Sequence, residues 1–153
     1  MAVSRALRRL LHIRNLEEEQ CRVALESALA ELNRLERALA ALAQRDRRGR
    51  GLITLSARNG ELPDRVAGMA EMRIAVEHAA ALTPRLAATE LDAADLREEF
   101  LVKRVERRQA ETLIQETEAR EAVEAARRGQ QGLDDWYGNR VHGSEANRAG
   151  ERS

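Results

Sequence analysis

Large rings are scarce in this 153-residue chain: one Phe, one Trp and one Tyr, at Phe100, Trp136 and Tyr137. A globular core of ordinary thickness draws on more aromatic volume than that. There is one cysteine, Cys21, so an intrachain disulfide is excluded and a reducing compartment is expected. Lysine occurs once, at Lys103, and proline twice, at Pro63 and Pro84. No apolar run approaches the roughly 18 residues that a membrane span requires. The short apolar stretch behind Arg5, Arg8 and Arg9 is followed at once by Glu17, Glu18 and Glu19. It does not resemble a signal peptide, and a cytoplasmic protein is expected. Excess charge of one sign is also missing, with 26 basic residues against 26 acidic. A non-specific grip on nucleic acid therefore has no global support.

Chemistry-bearing constellations are missing too. His12, His78 and His142 lie far apart, with no second ligand at metal spacing. No phosphate loop or nucleophile–base grouping occurs, and Asp134–Asp135 reads as solvated charge. Neither an enzyme nor a cofactor site is indicated. Cys21 reads as a small buried hydrophobe.

What is present is Ala, Leu, Glu and Arg in a repeating pattern. Leu7, Leu11, Arg14, Glu18, Cys21, Leu25, Ala28, Leu32, Leu35, Leu39 and Leu42 follow an unbroken four-three spacing. That is a heptad seam, one narrow stripe of a long helix that needs a partner helix. Arg14 and Glu18 are its polar members, placed to pair with each other or to specify register. Ser4 is a suitable N-cap. The expected first helix runs from about 4 to 48, a rod of roughly 65 Å at 1.5 Å per residue.

Gly49, Gly51, Asn59 and Gly60 predict a loop over 49–62, with Leu52 or Leu55 packed on the helices. Helix resumes near Pro63, which suits a first turn. Leu62, Val66, Met69, Met72 (or Arg73), Val76 and Ala79 keep helical spacing. At Pro84 the second helix either kinks or breaks, with Thr83 capping a new one. The second helix is expected over about 63–128. Gly129 and Gly132 end it, and residues 129–153 form a flexible tail.

Two arms of similar length on either side of residues 49–84 favour pairing within one chain. Burying each Leu recovers roughly 1.5–3 kcal/mol, so several outweigh the cost of closing the loop. The expected fold is all-α, a long antiparallel two-helix coiled-coil hairpin over 1–128, monomeric. Its alternative is a structural homodimer, a scaffold or adaptor in which each seam pairs with its copy.

Two surfaces are candidates for binding. Arg5, Arg8 and Arg9 form a basic terminus suited to an acidic protein surface. At the other end, Met69, Met72 and Val76 lie near the glycine-containing loop, where two helices leave apolar area uncovered. The layout, from the stretch Ser4–Arg14 to a polar tail carrying Leu133, Asp134, Asp135 and Trp136, resembles the FliJ/YscO group of type III secretion stalk proteins. It resembles the injectisome branch more than the flagellar one. The resemblance implies a central stalk that couples the hexameric secretion ATPase to the export gate. It implies that Arg5, Arg8, Arg9, Leu133, Asp134, Asp135 and Trp136 meet the ATPase, and that Met69, Met72 and Val76 meet the cytoplasmic ring of the gate. Export chaperones are further implied partners, at the inner-membrane-associated export apparatus. The tip lacks the aromatic residues common in the group, and Pro84 interrupts what is often a continuous helix.

Overall fold

A computed structural model describes residues 4–152. Two α-helices account for nearly all of them: α1, Arg5–Asn59, and α2, Leu62–Gly150. They pack against each other as an antiparallel hairpin, and no strand occurs among the described residues. The chain divides into two compact units, residues 16–105 and residues 1–15 with 106–153.

In the unit of residues 16–105, the seam foreseen for α1 is the packed face. From Glu18 and Cys21 through Leu42, each of its members is buried or half-buried. Leu35, at 3% exposure, is the most enclosed large side chain. The facing residues of α2 keep the same four-three spacing: Gly68, Met72, Ala75, Ala79, Leu82, Leu86, Thr89, Ala93, Leu96, Phe100 and Lys103. Ala75 and Ala93 are buried. No side chain is wholly enclosed, as expected where two helices share a single line of contact.

Three expectations are corrected here. The loop over 49–62 is instead helix as far as Asn59, and only Gly60 and Glu61 lie between the helices. The four-three rhythm runs on from Leu42 through Asp46, Gly49, Ile53 and Ser56, all buried or half-buried. Seam packing along this stretch outweighs the roughly 1 kcal/mol that a glycine costs a helix. Gly60 carries the turn with φ of 71°, a left-handed conformation that glycine adopts without steric cost. The Glu61 amide donates to the Asn59 side-chain oxygen at 2.9 Å, closing the turn.

Second, of the two alternatives at Pro84, a kink or a break, the break does not occur: α2 runs on through it. Its ring removes the bond that would end on the Ala80 carbonyl, but Ala80 is exposed, so water reaches that carbonyl. Thr83 caps no new helix; its hydroxyl donates back to the Ala79 carbonyl at 2.7 Å. Third, the seam at the start of α2 runs through Gly68, Met72 and Ala75, so that Met72, expected in the uncovered set, is half-buried, while Met69 and Val76, with Leu62 and Val66, are exposed as expected of that set. Apolar spacing alone favours the larger side chains. Close approach of the helices instead selects the small ones.

In the other unit, Leu7, Leu11 and Arg14 of α1 belong with Arg107, Ala110, Ile114, Thr117 and Glu121 of α2, all buried or half-buried. Ser4 caps α1 as expected, its Oγ accepting the Leu7 amide at 3.3 Å. Arg14 bonds Glu106 across the hairpin at 2.9 Å. Beyond Glu121 every described residue of α2 is exposed, yet the helix continues to Gly150. The expected irregular tail is therefore helical. Extending an existing helix needs no new nucleus, and Gln130 supports the first added turns through a 3.2 Å bond to Asp134.

Candidate interaction surfaces

Arg5, Arg8 and Arg9 lie in the first turns of α1, all exposed, with no acidic residue in that first turn. None of the three has an ion-pair partner among the described residues. The cations sit at the positive end of the helix dipole, where their charge is not offset. That is an energetically poor place for a cation on stability grounds alone. It concentrates positive field at this end of α1.

Leu133, Asp134, Asp135 and Trp136 lie in the exposed part of α2, at least 12 residues beyond Glu121, its last half-buried residue. At 1.5 Å per residue this is about 18 Å along the helix, so the structure does not bring them into contact with Arg5, Arg8 and Arg9. Leu133, Trp136, Tyr137 and Val141 form one apolar stripe, each at least half exposed. Trp136 and Tyr137 meet edge to face, with centroids 5.0 Å apart. The Arg140 guanidinium lies 5.1 Å from the Trp136 ring, within cation–π range. The i, i+3, i+4, i+8 spacing from Leu133 marks this helical stripe in the sequence, but the glycines at 129, 132 and 138 obscure it.

Near the turn, Met69 and Val76 are about 60% exposed and share a face with Leu62 and Val66. Met72 belongs to the seam instead, half-buried between the helices. The three methionine and valine candidates thus divide into an open pair and a packing residue.

Several polar residues along the contact are held in cross-helix pairs. Arg45 grips Glu71 with two bonds, at 2.5 and 3.2 Å, and Lys103 lies 3.6 Å from Glu17. The Arg45 guanidinium holds the Glu71 carboxyl below the ordinary carboxylate range. Loss of solvent raises the Cys21 thiol above its usual value, and Glu99 adds to this. No group of three or more potential metal ligands occurs among the described residues. No described helix is long and apolar enough to cross a membrane.

These features define a two-helix coiled coil with a basic end and exposed apolar stripes. The family model described as the flagellar FliJ protein matches residues 4–146. The chain belongs to the FliJ family, and so to the stalk-like proteins of flagellar and type III export. No curated protein and no solved structure matches it.

Proposed function

We propose that this protein is the central stalk of a type III secretion ATPase complex, coupling the hexameric ATPase to the export gate. The observation that carries the reading is the family match across residues 4–146. The exposed cations Arg5, Arg8 and Arg9 and the stripe around Leu133 and Trp136, with Asp134 and Asp135, are assigned to the ATPase. Met69 and Val76 are assigned to the cytoplasmic ring of the gate, with Met72 supporting them from the seam. A two-helix hairpin has no six-fold symmetry, so it contacts the subunits of a hexamer unequally. Unequal contact biases their nucleotide states, provided the affinity differs between those states. The protein acts in the cytoplasm at the membrane-associated export apparatus, without catalysis of its own, and also meets export chaperones.

The test is capture of purified ATPase hexamers by the wild-type chain and by the triple variant Arg5→Glu, Arg8→Glu, Arg9→Glu. Binding that is lost in the variant and weakened by salt supports the reading; unchanged binding at low salt removes the basic end from it. Injectisome and flagellar ATPases are tested side by side, with the injectisome enzyme expected to bind more tightly. In a parallel assay, Met69→Ser with Val76→Ser is expected to spare ATPase binding and reduce capture of the gate's cytoplasmic ring.

A further inference from the structure

Residues 129–150 of α2 are helix with nothing packed beneath them, since every described residue after Glu121 is exposed. Up to Glu121 the line facing α1 is Arg107, Ala110, Ile114, Thr117 and Glu121. At the same four-three spacing it continues through Glu124, Arg128, Gln131, Asp135, Gly138 and His142, with no large apolar side chain in that continuation. The apolar stripe of Leu133, Trp136, Tyr137 and Val141 has moved off the line. Leu133 lies two positions from both Gln131 and Asp135, which turns it to the opposite side. The hairpin's own first arm therefore cannot cover it.

Composition changes at the same place. The 22 residues from 107 to 128 contain no glycine and four weak helix formers, Thr112, Ile114, Thr117 and Val123. The 22 residues from 129 to 150 contain five glycines and nine weak formers, among them Asp134, Trp136, Asn139 and Ser144. Propagation multiplies the helical weight by at most about 1.6 for each good helix former. A glycine lowers that factor about fivefold and a weak former about twofold. The product is far above one for 107–128 and on the order of 0.01 for 129–150. Side-chain pairs past Arg128 are Gln130 with Asp134, Arg140 over Trp136, and His142 with Glu145 at 3.9 Å, the last only with a protonated imidazole. Each raises the weight about twofold, which leaves it below one.

We infer that residues 129–150 form a conditional helix, mostly coil in the free chain and helix when a partner covers the stripe of Leu133, Trp136, Tyr137 and Val141. That the partner is the secretion ATPase rests on the proposed function; the coil of the free chain does not. Binding then carries the cost of ordering the segment, so the observed affinity is the intrinsic one reduced by the helical fraction. The glycines set that fraction. They leave a contact that reads the stripe yet releases faster than a preformed helix with the same side chains.

Hydrogen exchange read by mass spectrometry tests both states. In the free wild-type chain, amides of 129–150 should exchange within about tenfold of coil rates, while seam amides of 16–105 are protected. Replacing Gly129, Gly132, Gly138 and Gly143 together by Ala should slow exchange of the free segment several-fold. Excess ATPase hexamer should slow exchange over 131–142 of the wild type by at least about tenfold. Gly132→Ala with Gly138→Ala, both off the stripe and with open space around an added Cβ, should bind the ATPase about tenfold more tightly. Leu133→Ala with Trp136→Ala should weaken binding more than about tenfold without changing exchange in the free chain. A free wild-type segment protected more than about 100-fold overturns the inference. So does an ATPase complex in which the wild-type segment still exchanges as coil, or alanine variants that gain neither protection nor affinity. If the free segment exchanges as coil, the four-alanine variant gains protection and no chain binds the ATPase, the conditional helix is supported and the ATPase is removed as its partner.

Discussion

Gly49 of α1 and Gly68 of α2 pass each other backbone to backbone. A Cβ built on Gly49 would stand 2.7 Å from the Gly68 carbonyl oxygen, and one on Gly68 would stand 2.6 Å from that of Gly49. Both contacts are with main chain, which cannot rotate aside. Gly49→Ala is therefore expected to destabilise the hairpin by about 1–3 kcal/mol, overpacking outweighing the better helix propensity. Gly51, two residues on, meets nothing within 4 Å of its added Cβ, so Gly51→Ala should stabilise by about 0.5–1 kcal/mol. Thermal melts of the two variants, shifting in opposite directions, check both halves. A Gly49→Ala melt as high as that of Gly51→Ala would show that the close crossing is not a constraint.

The same two residues show how far the sequence could be read. Leu and Ala at four-three spacing made the α1 seam plain as far as Leu42, because large apolar side chains announce a buried face. Past Leu42 the seam is carried by Asp46, Gly49, Ile53 and Ser56. There, buried positions hold residues whose local preference is for turns. Propensity and periodicity conflict at Gly49, and packing decides in favour of periodicity. At the start of α2 the small residues Gly68 and Ala75 carry the seam, and the larger Val66, Met69 and Val76 are exposed, so size does not mark the buried face there. Of the candidate surfaces, the exposure of Arg5, Arg8 and Arg9 was readable, since all three lie off the seam line through Leu7 and Leu11. The separation of Leu133 and Trp136 from them was not, because it depends on how far α2 outruns α1.

The Arg45–Glu71 pair gives the hairpin a pH dependence of defined sign. Its hydrogen bonds hold the Glu71 carboxyl below its unfolded value. A depressed carboxylate contributes stability above the unfolded pKa, near 4.3 for Glu, and loses it as the pH falls through the folded value. Glu71→Gln should melt below wild type at neutral pH. The gap should close as the solution is acidified through and below the ordinary carboxylate range. A gap that stays constant into strong acid would mean that Glu71 contributes through packing alone.

Pro84 interrupts the hydrogen-bond ladder of α2 while the helix runs on through it. Pro84→Ala restores the missing donor and removes the ring's clash with the preceding turn. Because residue 84 is exposed and outside the seam, the change disturbs no packing. An increase in stability of about 1–3 kcal/mol is expected, read as a higher denaturant midpoint with an unchanged slope. No increase would show that the helix already accommodates the ring without loss.

No residue of α2 after Glu121 is buried, so truncation after Arg128 should leave hairpin stability within about 0.5 kcal/mol of wild type. The removed helix has glycines at 129, 132, 138 and 143, each with nothing within 4 Å of an added Cβ. Each costs a helix about 1 kcal/mol relative to alanine. Replacing all four by Ala should therefore raise the ellipticity of the full-length chain without moving its main unfolding transition. The pair of experiments separates two sources of helix: seam packing up to Glu121, and propagation beyond it. If the proposed function is right, truncation also lowers affinity for the ATPase, while the hairpin melts unchanged. A truncated chain that melts well below wild type would mean that the exposed helix is tied to the seam by contacts its exposure does not reveal.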